Sequence, residues 1–375
     1  MFLDFVLNGQ GHGPVGAALA GCQWEPGILR PYRDEQGVPC VTIRNRKTGK
    51  PQRYTVAQMW QQGINHPVLN ATTLRKDEWI KLDTVVLKAA RQRLRAWADL
   101  AGTNSVGGFN GMAKTIYEYE TMSDPGEAVV DMDGLTPGRN DYPKFQLEGI
   151  PLPITHSDFF FSARQLATSR NTGTPLDTTM AEAAGRRVAE LIEKTLIGVE
   201  TGVAYGDSTG YSRTAQVYGY TNFPARITKT DLTTPTGANP DAVMTDVLEM
   251  RDLLYADNHY GPFVIYHSTG YDRYLDDDYF RSGGTSVLQT LRQRIESIEG
   301  VSAVRRLDFL TSGFQLIAVE MSSMVAQAIN GMDITTVQWE TKGGMQLNFK
   351  VMAIQVPLLR ADFNGNTGIV HGTTS

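Results

Sequence analysis

The 375-residue sequence contains only two cysteines, Cys22 and Cys40. That is too few for a disulfide framework, so a reducing site of folding is expected. No apolar run reaches the roughly 18 residues that a membrane-spanning helix needs. The apolar stretch at 2–7 is short, carries Asp4 and has no basic flank, so it does not read as a signal peptide. A soluble chain without membrane contact is expected. The six histidines are scattered, and neither an HExxH motif nor a CxxC pair occurs. Lys47-Thr48-Gly49-Lys50 lacks the upstream glycine of a phosphate-binding loop. The expectation is therefore no cofactor and no metal. No sustained heptad pattern is present in residues 1–70, so a coiled-coil scaffolding segment is not evident there.

Apolar residues make up 41% of the chain, enough to form the cores of about two or three domains. The net charge is −5, unevenly distributed. Residues 1–114 carry +7 and the remainder −12. A basic third joined to an acidic remainder points to two surfaces with different neighbours, one of them suited to a polyanion.

Residues 40–45 and 52–57 flank a turn at 47–50 and read as a hairpin. The period of Leu82, Val86, Ala90, Leu94 and Trp97 predicts one helix over 77–100, with Lys81, Lys88, Arg91 and Arg95 on another face. Two extended runs, 115–121 and 144–153, enclose a tip rich in Asp, Gly and Pro at 123–143. This predicts a two-stranded arm, and an isolated hairpin is marginal in water, so the arm calls for a surface to lie on. A second strong helix is predicted over 177–200. Thr179 and Glu182 have capping-box spacing, and Met180, Ala184, Val188, Leu191, Ile192, Leu196 and Val199 form the apolar stripe. A linker at 228–239 leads to an α/β segment. Its helices are expected at 240–255, 268–275 and 286–298, with a polar loop at 276–285. Strands are expected at 263–266, 301–307, 314–320, 325–329, 333–341 and 346–357. Leu347, Phe349, Val351 and Ala353 alternate as in a half-buried strand.

Several segments carry a resemblance. PLDTTMAEAAGRRVAELIEKTLIG (175–198) resembles the spine helix of the Hong Kong 97-type capsid proteins, and VYGYTNFP (217–224) the stretch that follows it. GPFVIYHSTGYDRYLDDD (261–278) with LRQRIESIEGV (291–301) is similar to the axial domain of that family. FQLIAVEMSSMVAQAINGMDITTVQWE (314–340) is similar to its closing strands. The family includes tailed-phage major capsid proteins and encapsulin nanocompartment shells. The resemblance covers roughly 113–370 and implies an α+β, Hong Kong 97-type capsid fold. Its parts would be an N-terminal arm (1–76), an N-terminal helix region (77–112), an extended loop (113–157), a peripheral domain with a long spine helix (158–238 and 331–375), and an axial domain (239–330). It implies a non-enzymatic subunit that assembles with itself, as hexamers and pentamers, into an icosahedral virion shell around double-stranded DNA. Assembly would take place in the host cytoplasm, with scaffold, portal and decoration proteins as possible partners. The long N-terminal region departs from the short encapsulin N-terminus and favours a viral capsid over a nanocompartment.

The resemblance also places candidate residues. Asp276, Asp277, Asp278, Arg281, Gly283 and Gly284 would form the capsomer-axis loop. Asp133, Arg139, Tyr142 and Lys144 would lie at the intersubunit tip of the extended loop. Charge, and not the resemblance, marks Arg44, Arg46, Lys47, Lys50 and Arg53, with Lys81, Lys88, Arg91 and Arg95, as the candidate DNA-facing basic positions; phosphates would be neutralised there without sequence readout. Against this stands a hydrolase reading. Gly206-Asp207-Ser208-Thr209-Gly210 fits G-x-S-x-G, with His259, His267 or His371 as base, but the motif needs a strand before the serine and a helix after it. The glycines at 9–16 have dinucleotide-like spacing, but Pro14 interrupts the turn. The three consecutive aspartates lack EF-hand spacing.

Overall fold

The computed structural model describes residues 31–33, 38–44, 51–55, 58, 76–91, 94–123, 130–133, 142, 144–172, 178–200, 202–205, 213–237, 239–281, 285–311 and 313–374. In chain order the elements begin with strands β1 (Pro31–Arg33), β2 (Pro39–Arg44) and β3 (Pro51–Thr55), then helices α1 (Lys76–Arg91) and α2 (Ala96–Thr103). Strands β4 (Ser105–Val106), β5 (Ile116–Met122), β6 (Phe145–Pro151) and β7 (Thr155–Ser162) follow, then helices α3 (Ala163–Thr172) and α4 (Thr179–Ile197). Next come β8 (Gly202–Tyr205), β9 (Arg213–Gln216), β10 (Ile227–Lys229), α5 (Pro240–Ala256), β11 (Phe263–His267), α6 (Asp272–Leu275), β12 (Asp278–Arg281), β13 (Thr285–Thr290) and α7 (Leu291–Glu296). The chain closes with β14 (Val301–Arg306), β15 (Gln315–Glu320), β16 (Ala326–Thr341), β17 (Gln346–Leu359) and β18 (Ile369–Thr373).

Two sheets organise the molecule. The first has the order β4-β16-β17-β7 and is built on the long β16–β17 hairpin. Its alternation is the one read in the sequence: Leu347, Phe349, Val351 and Ala353 are each fully buried. With Phe159 and Phe161 of β7 they form the face on which α4 lies. α1 packs beside α4, where a Cβ on Gly185 would stand 2.9 Å from the Val86 carbonyl oxygen. A residue without a side chain lets the two helix backbones meet there. The strands expected separately at 325–329 and 333–341 are one strand, with register shifts between Asn330 and Thr335.

The second sheet has the order β10-β18-β15-β11-β14. All five residues of β11 are buried, because both faces of this sheet are covered. Phe263, Ile265, Leu316, Ala318 and Val370 face the core built with α5 and α7. Val264, Tyr266, Ile317, Val319 and Ile369 face the larger core of α1, α2 and α4. Alternate residues of single strands thus serve two cores. β10 overlaps the start of the segment expected to be linker, and β18 lies in the tail expected to be peripheral. Both pair into this sheet instead, β18 between β10 and β15.

Three sequence expectations are corrected. The helix over 77–100 is two helices, one ending at Arg91 and the next beginning at Ala96. The Glu193 carboxylate of α4 accepts from the backbone N–H groups of Ala96 at 2.7 Å and Trp97 at 3.1 Å, supplying a new helix start with acceptors. α4 begins at Thr179, so the cap position falls at Thr178, one residue before the expected Thr179, and Thr178 makes no side-chain cap hydrogen bond. The helix over 286–298 reduces to α7. Thr290 and Gln293 form the capping box there, and 285–290 pair with β12.

Candidate functional site

The arm is the β5–β6 hairpin, in register from Ile116↔Pro151 to Met122↔Phe145. One face turns to the body through Tyr117, Tyr119 and Ile150, which pack against a cluster around Leu152, Val217 and Leu358. Tyr119 donates to Glu148 at 2.6 Å, and the Arg360 guanidinium lies 4.8 Å from the Tyr119 ring centre. Burial, then Glu148, pushes the Tyr119 hydroxyl pKa up. A cleft of about 450 Å³ remains under the arm, lined by Tyr119, Glu148, Tyr218, Phe223, Leu359 and Phe363. The opposite face of the arm is open. It carries Ile116, Met122, Phe145 and Leu147, which are 49–63% exposed, along with exposed Glu118 and Glu120. Of the tip candidates, Asp133, Tyr142 and Lys144 are exposed, and the Lys144 N–H donates to the Ser123 hydroxyl at 2.9 Å. Arg139 lies outside the described residues.

The expected axis loop is a hairpin, with β12 and β13 antiparallel. Asp278 and Arg281 lie on β12, and Gly283 and Gly284 fall outside the described residues. The hairpin is tied down at its base. Tyr279 donates to Asp241 of α5 at 2.7 Å, and Arg292 of α7 donates to Asp276 at 2.9 Å. Asp277 and Asp276 are exposed.

Of the basic candidates, Lys81, Lys88 and Arg91 form an exposed stripe on α1, opposite the buried Leu82, Val86 and Ala90. The helix break moves Arg95 out of that stripe to the cap position of α2, with its guanidinium 3.8 Å from Asp308. Arg53 donates to the Cys40 sulfur at 3.2 Å, and Arg44 lies on β2. Arg46, Lys47 and Lys50 are outside the described residues. The start of α2 and the second sheet meet at a cleft of about 720 Å³ lined by Arg95, Asp99, Asp272, Asp276, Arg292, Arg305 and Arg306. Its charges answer one another. Arg305 pairs with Asp99, and Arg306 with Asp272 and Asp308, each of the latter at 2.9 Å. With Asp308, which also meets Arg95, four arginines face four aspartates, so the cleft offers no net attraction to a phosphate.

At this junction lie residues that the sequence did not single out. Glu193 is 2% exposed within the apolar face of α4. Tyr266 of β11 donates to Asp99 of α2 and stacks on Tyr220, ring centres 6.0 Å apart. The available signal was Glu193 itself, an acid one turn after Ala189 and adjacent to Ile192 in the buried stripe. The VYGYTNFP segment also acquires a physical role. Tyr220 and Thr221 donate their N–H groups to the Leu196 and Ile197 carbonyls at 2.9 Å, closing the last turn of α4.

The serine motif lacks its setting. β8 and β9 pair antiparallel on either side of it, so a strand and not a helix follows. Ser208 lies outside the described residues. His267 is fully buried with its Nδ1 3.1 Å from the Ser268 carbonyl, and burial lowers its pKa. Burial pushes His371 down to about 4, and it contacts Gln315. His259 pairs with Glu320. Among the described residues no group of three or more His, Cys, Asp or Glu is placed to hold a metal ion, and no helix is long and apolar enough to cross a membrane.

Known proteins share this architecture. The structure is similar to the virus-like particle from Pyrococcus furiosus, with TM-score 0.53, 16% identity, and coverage of 78% of this chain and 97% of that one. It is similar to the capsid of Myoviridae phage XM1, with TM-score 0.51, 14% identity, and coverage of 74% and 92%. It is also similar to the capsid of the native GTA particle, with TM-score 0.51, 11% identity, and coverage of 83% and 93%. No curated protein sequence matches. The model of a family of unknown function, DUF6260, matches residues 70–372. The chain therefore belongs to the DUF6260 family, and its α+β fold is the Hong Kong 97-type capsid fold.

Proposed function

We propose that this chain is a major capsid protein, a non-enzymatic subunit that assembles with itself into an icosahedral shell around a double-stranded DNA phage genome. The observation that carries the reading is the arm. Its outer face exposes Ile116, Met122, Phe145 and Leu147 side by side on a two-stranded sheet. Burying a side chain such as Phe145 or Leu147 is worth about 1.5–3 kcal/mol, a strong incentive to cover that face. A neighbouring copy supplies the cover, and symmetry repeats the same modest contact around the shell. In this reading residues 1–76 are the N-terminal arm, 77–112 the helix region, 113–157 the extended loop, and 158–238 with 331–375 the peripheral domain. The axial domain is 239–330, with the β12–β13 hairpin at the capsomer axis, and β10 and β18 of the peripheral domain pair onto its sheet.

The test is assembly. Phe145→Asp with Leu147→Asp should leave a folded chain that no longer forms particles in electron micrographs, and removal of 123–143 should weaken or abolish them. Shells of unchanged yield and size from the double variant would overturn the arm's role.

The genome contact is assigned to Lys81, Lys88 and Arg91, the open stripe on α1, acting on phosphates without base readout. Reversing all three to glutamate should lower retained DNA while shells still form. The logarithmic salt dependence of DNA binding should become shallower by about three contacts' worth. Normal retention of DNA would sink this assignment. Shells purified with protein cargo and no nucleic acid would point to a nanocompartment instead.

A further inference from the structure

β7 is the last strand of the first sheet and, among the described residues, pairs along one edge only, with β17. The Ala163 N–H donates to the Met345 carbonyl at 2.9 Å, which fixes the phase of that ladder. Counting back in twos, the backbone groups of 161, 159, 157 and 155 turn inward to β17. Those of His156, Asp158 and Phe160 turn outward. The side chains alternate with the same period. Phe159 and Phe161 are buried beneath α4, whereas His156, Asp158 and Phe160 are exposed on the other face. Ile154, exposed just before the strand, continues the outward series. Pro153 falls on the inward phase, so its missing N–H does not interrupt the outer edge.

An edge of this kind is a template for a further strand, and its own sequence selects which one. Along the outward positions the order is Ile154, His156, Asp158, Phe160. A second copy running antiparallel presents the same four in reverse. With Ser157 on a two-fold axis, Ile154 faces the partner's Phe160 and His156 faces the partner's Asp158, each twice over. Apolar meets apolar, and an acid meets a base. The adjacent registers fail. An axis at Asp158 sets aspartate against aspartate, and an axis at His156 sets Ile154 against aspartate. Asp158 is also flanked within its own chain, 3.4 Å from His156 Nδ1 and 3.6 Å from Lys350 Nζ, so pairing isolates no carboxylate.

We propose that β7 is a joint between two copies of this chain: their β7 strands pair antiparallel about a two-fold axis at Ser157 and fuse the two first sheets into one. The contact is isologous, each copy giving and receiving the same groups. One strand pair is weak alone, so the joint separates on dilution and holds where symmetry repeats it. The pairing stands apart from the shell proposed above. Only its placement there, at a two-fold between subunits and separate from the arm contact, rests on that reading.

The experiment is oxidative cross-linking of the full chain. On the outer edge residue 157 meets itself as a non-hydrogen-bonded pair, with Cα atoms about 4.5 Å apart, within reach of a disulfide. Under mild oxidation Ser157→Cys should give a covalent dimer whose peptides show residue 157 linked to itself, with the wild type as control for Cys22 and Cys40. Asp158→Cys, which lies on the axis only in a disfavoured register, should link about tenfold less. In the Ser157→Cys background, His156→Asp sets carboxylates opposite one another at both ends and should lower the link by about tenfold. Adding Asp158→His restores opposite charges across the axis and should recover it. Equal linking at 157 and 158, or no recovery in the charge swap, would overturn the register. Normal particles with no 157–157 link would sink the joint while leaving the shell reading in place. A 157–157 dimer from a chain that forms no particles would support the joint and count against the shell.

Discussion

Gly219→Ala should be among the most damaging single substitutions in the chain, lowering stability by about 2–5 kcal/mol, read as a drop in the urea midpoint. A methyl group at this position would stand 2.4 Å from the Gly198 nitrogen and the Thr195 carbonyl oxygen, and 2.5 Å from the Leu196 oxygen. All three are backbone atoms of the last turn of α4, so no side-chain rotation relieves the clash. The segment must back away from the helix end. That lengthens the Tyr220 and Thr221 amide bonds to Leu196 and Ile197 at 2.9 Å, the Thr221 hydroxyl bond to Ile197 at 2.8 Å, and the Asn222 amide bond to Gly198 at 3.2 Å. Each is worth about 0.5–1.5 kcal/mol net, and the carbonyls left behind are buried. Asn222→Ala, which removes one of these bonds and also the 2.6 Å acceptor of the Gly219 N–H, should cost about 1–3 kcal/mol. A Gly219→Ala midpoint equal to wild type would refute this account of the segment.

The same segment shows what a sequence can and cannot disclose. VYGYTNFP is legible as a family resemblance, but its work of terminating α4 is a contact across a turn that no periodicity reports. α4 itself was legible from spacing, though only part of its stripe is buried. Ala184, Val188, Ile192 and Leu196 face the sheet, whereas Met180, Leu191 and Val199 are 39–53% exposed. The helix presents a narrower face to a flat sheet than an all-apolar stripe implies. Glu193 escaped notice because an acid is counted on the polar side by default. Only the amides of α2, about a hundred residues away in the chain, explain its burial. Those amides also explain why an unbroken helical period at 77–100 yields two helices. Local spacing was satisfied, and the acceptors at the second helix's start come from a distant carboxylate.

The arm was legible as a pairing of two extended runs, but not as a surface. Phe145 and Leu147 sit two residues apart on β6, and cross-strand partners Met122 and Glu120 share their face. Which of the two faces meets the body is set by Tyr117, Tyr119 and Ile150 packing on Val217 and Leu358, a tertiary choice. The strands β10 and β18 were missed for a similar reason. Three and five residues long respectively, they lack a period of their own and become strands by pairing into a sheet whose centre is elsewhere in the chain. At 286–298 a helical spacing of Leu288, Leu291, Ile295 and Ile298 was real only from Leu291 onward. The Thr290–Gln293 capping box, visible in the sequence as T-x-x-Q, marks the true start.

Alternation along β17 makes the sharpest contrast available within one sheet. Phe349→Ala should lower stability by about 3–5 kcal/mol, while Phe160→Ala, on the neighbouring strand, should cost less than about 1 kcal/mol. Phe349 is fully buried, stacked on its cross-strand partner Phe159 with ring centres 5.1 Å apart, and set edge-on to Phe161 at 5.5 Å. Removing its ring opens a cavity between the sheet and α4 and ends two aromatic contacts, each worth about 0.5–1.5 kcal/mol beyond burial. Phe160 lies between Phe159 and Phe161 in the chain, yet points to the other face and is 56% exposed. Its loss leaves no cavity, since solvent already reaches the ring. Urea midpoints of the two variants under one condition test the register directly. Equal destabilisation would mean that the Phe160 face is covered in solution. A mild Phe349→Ala effect would mean that α4 does not seat on this sheet as the Phe159, Phe161 and Phe349 cluster requires.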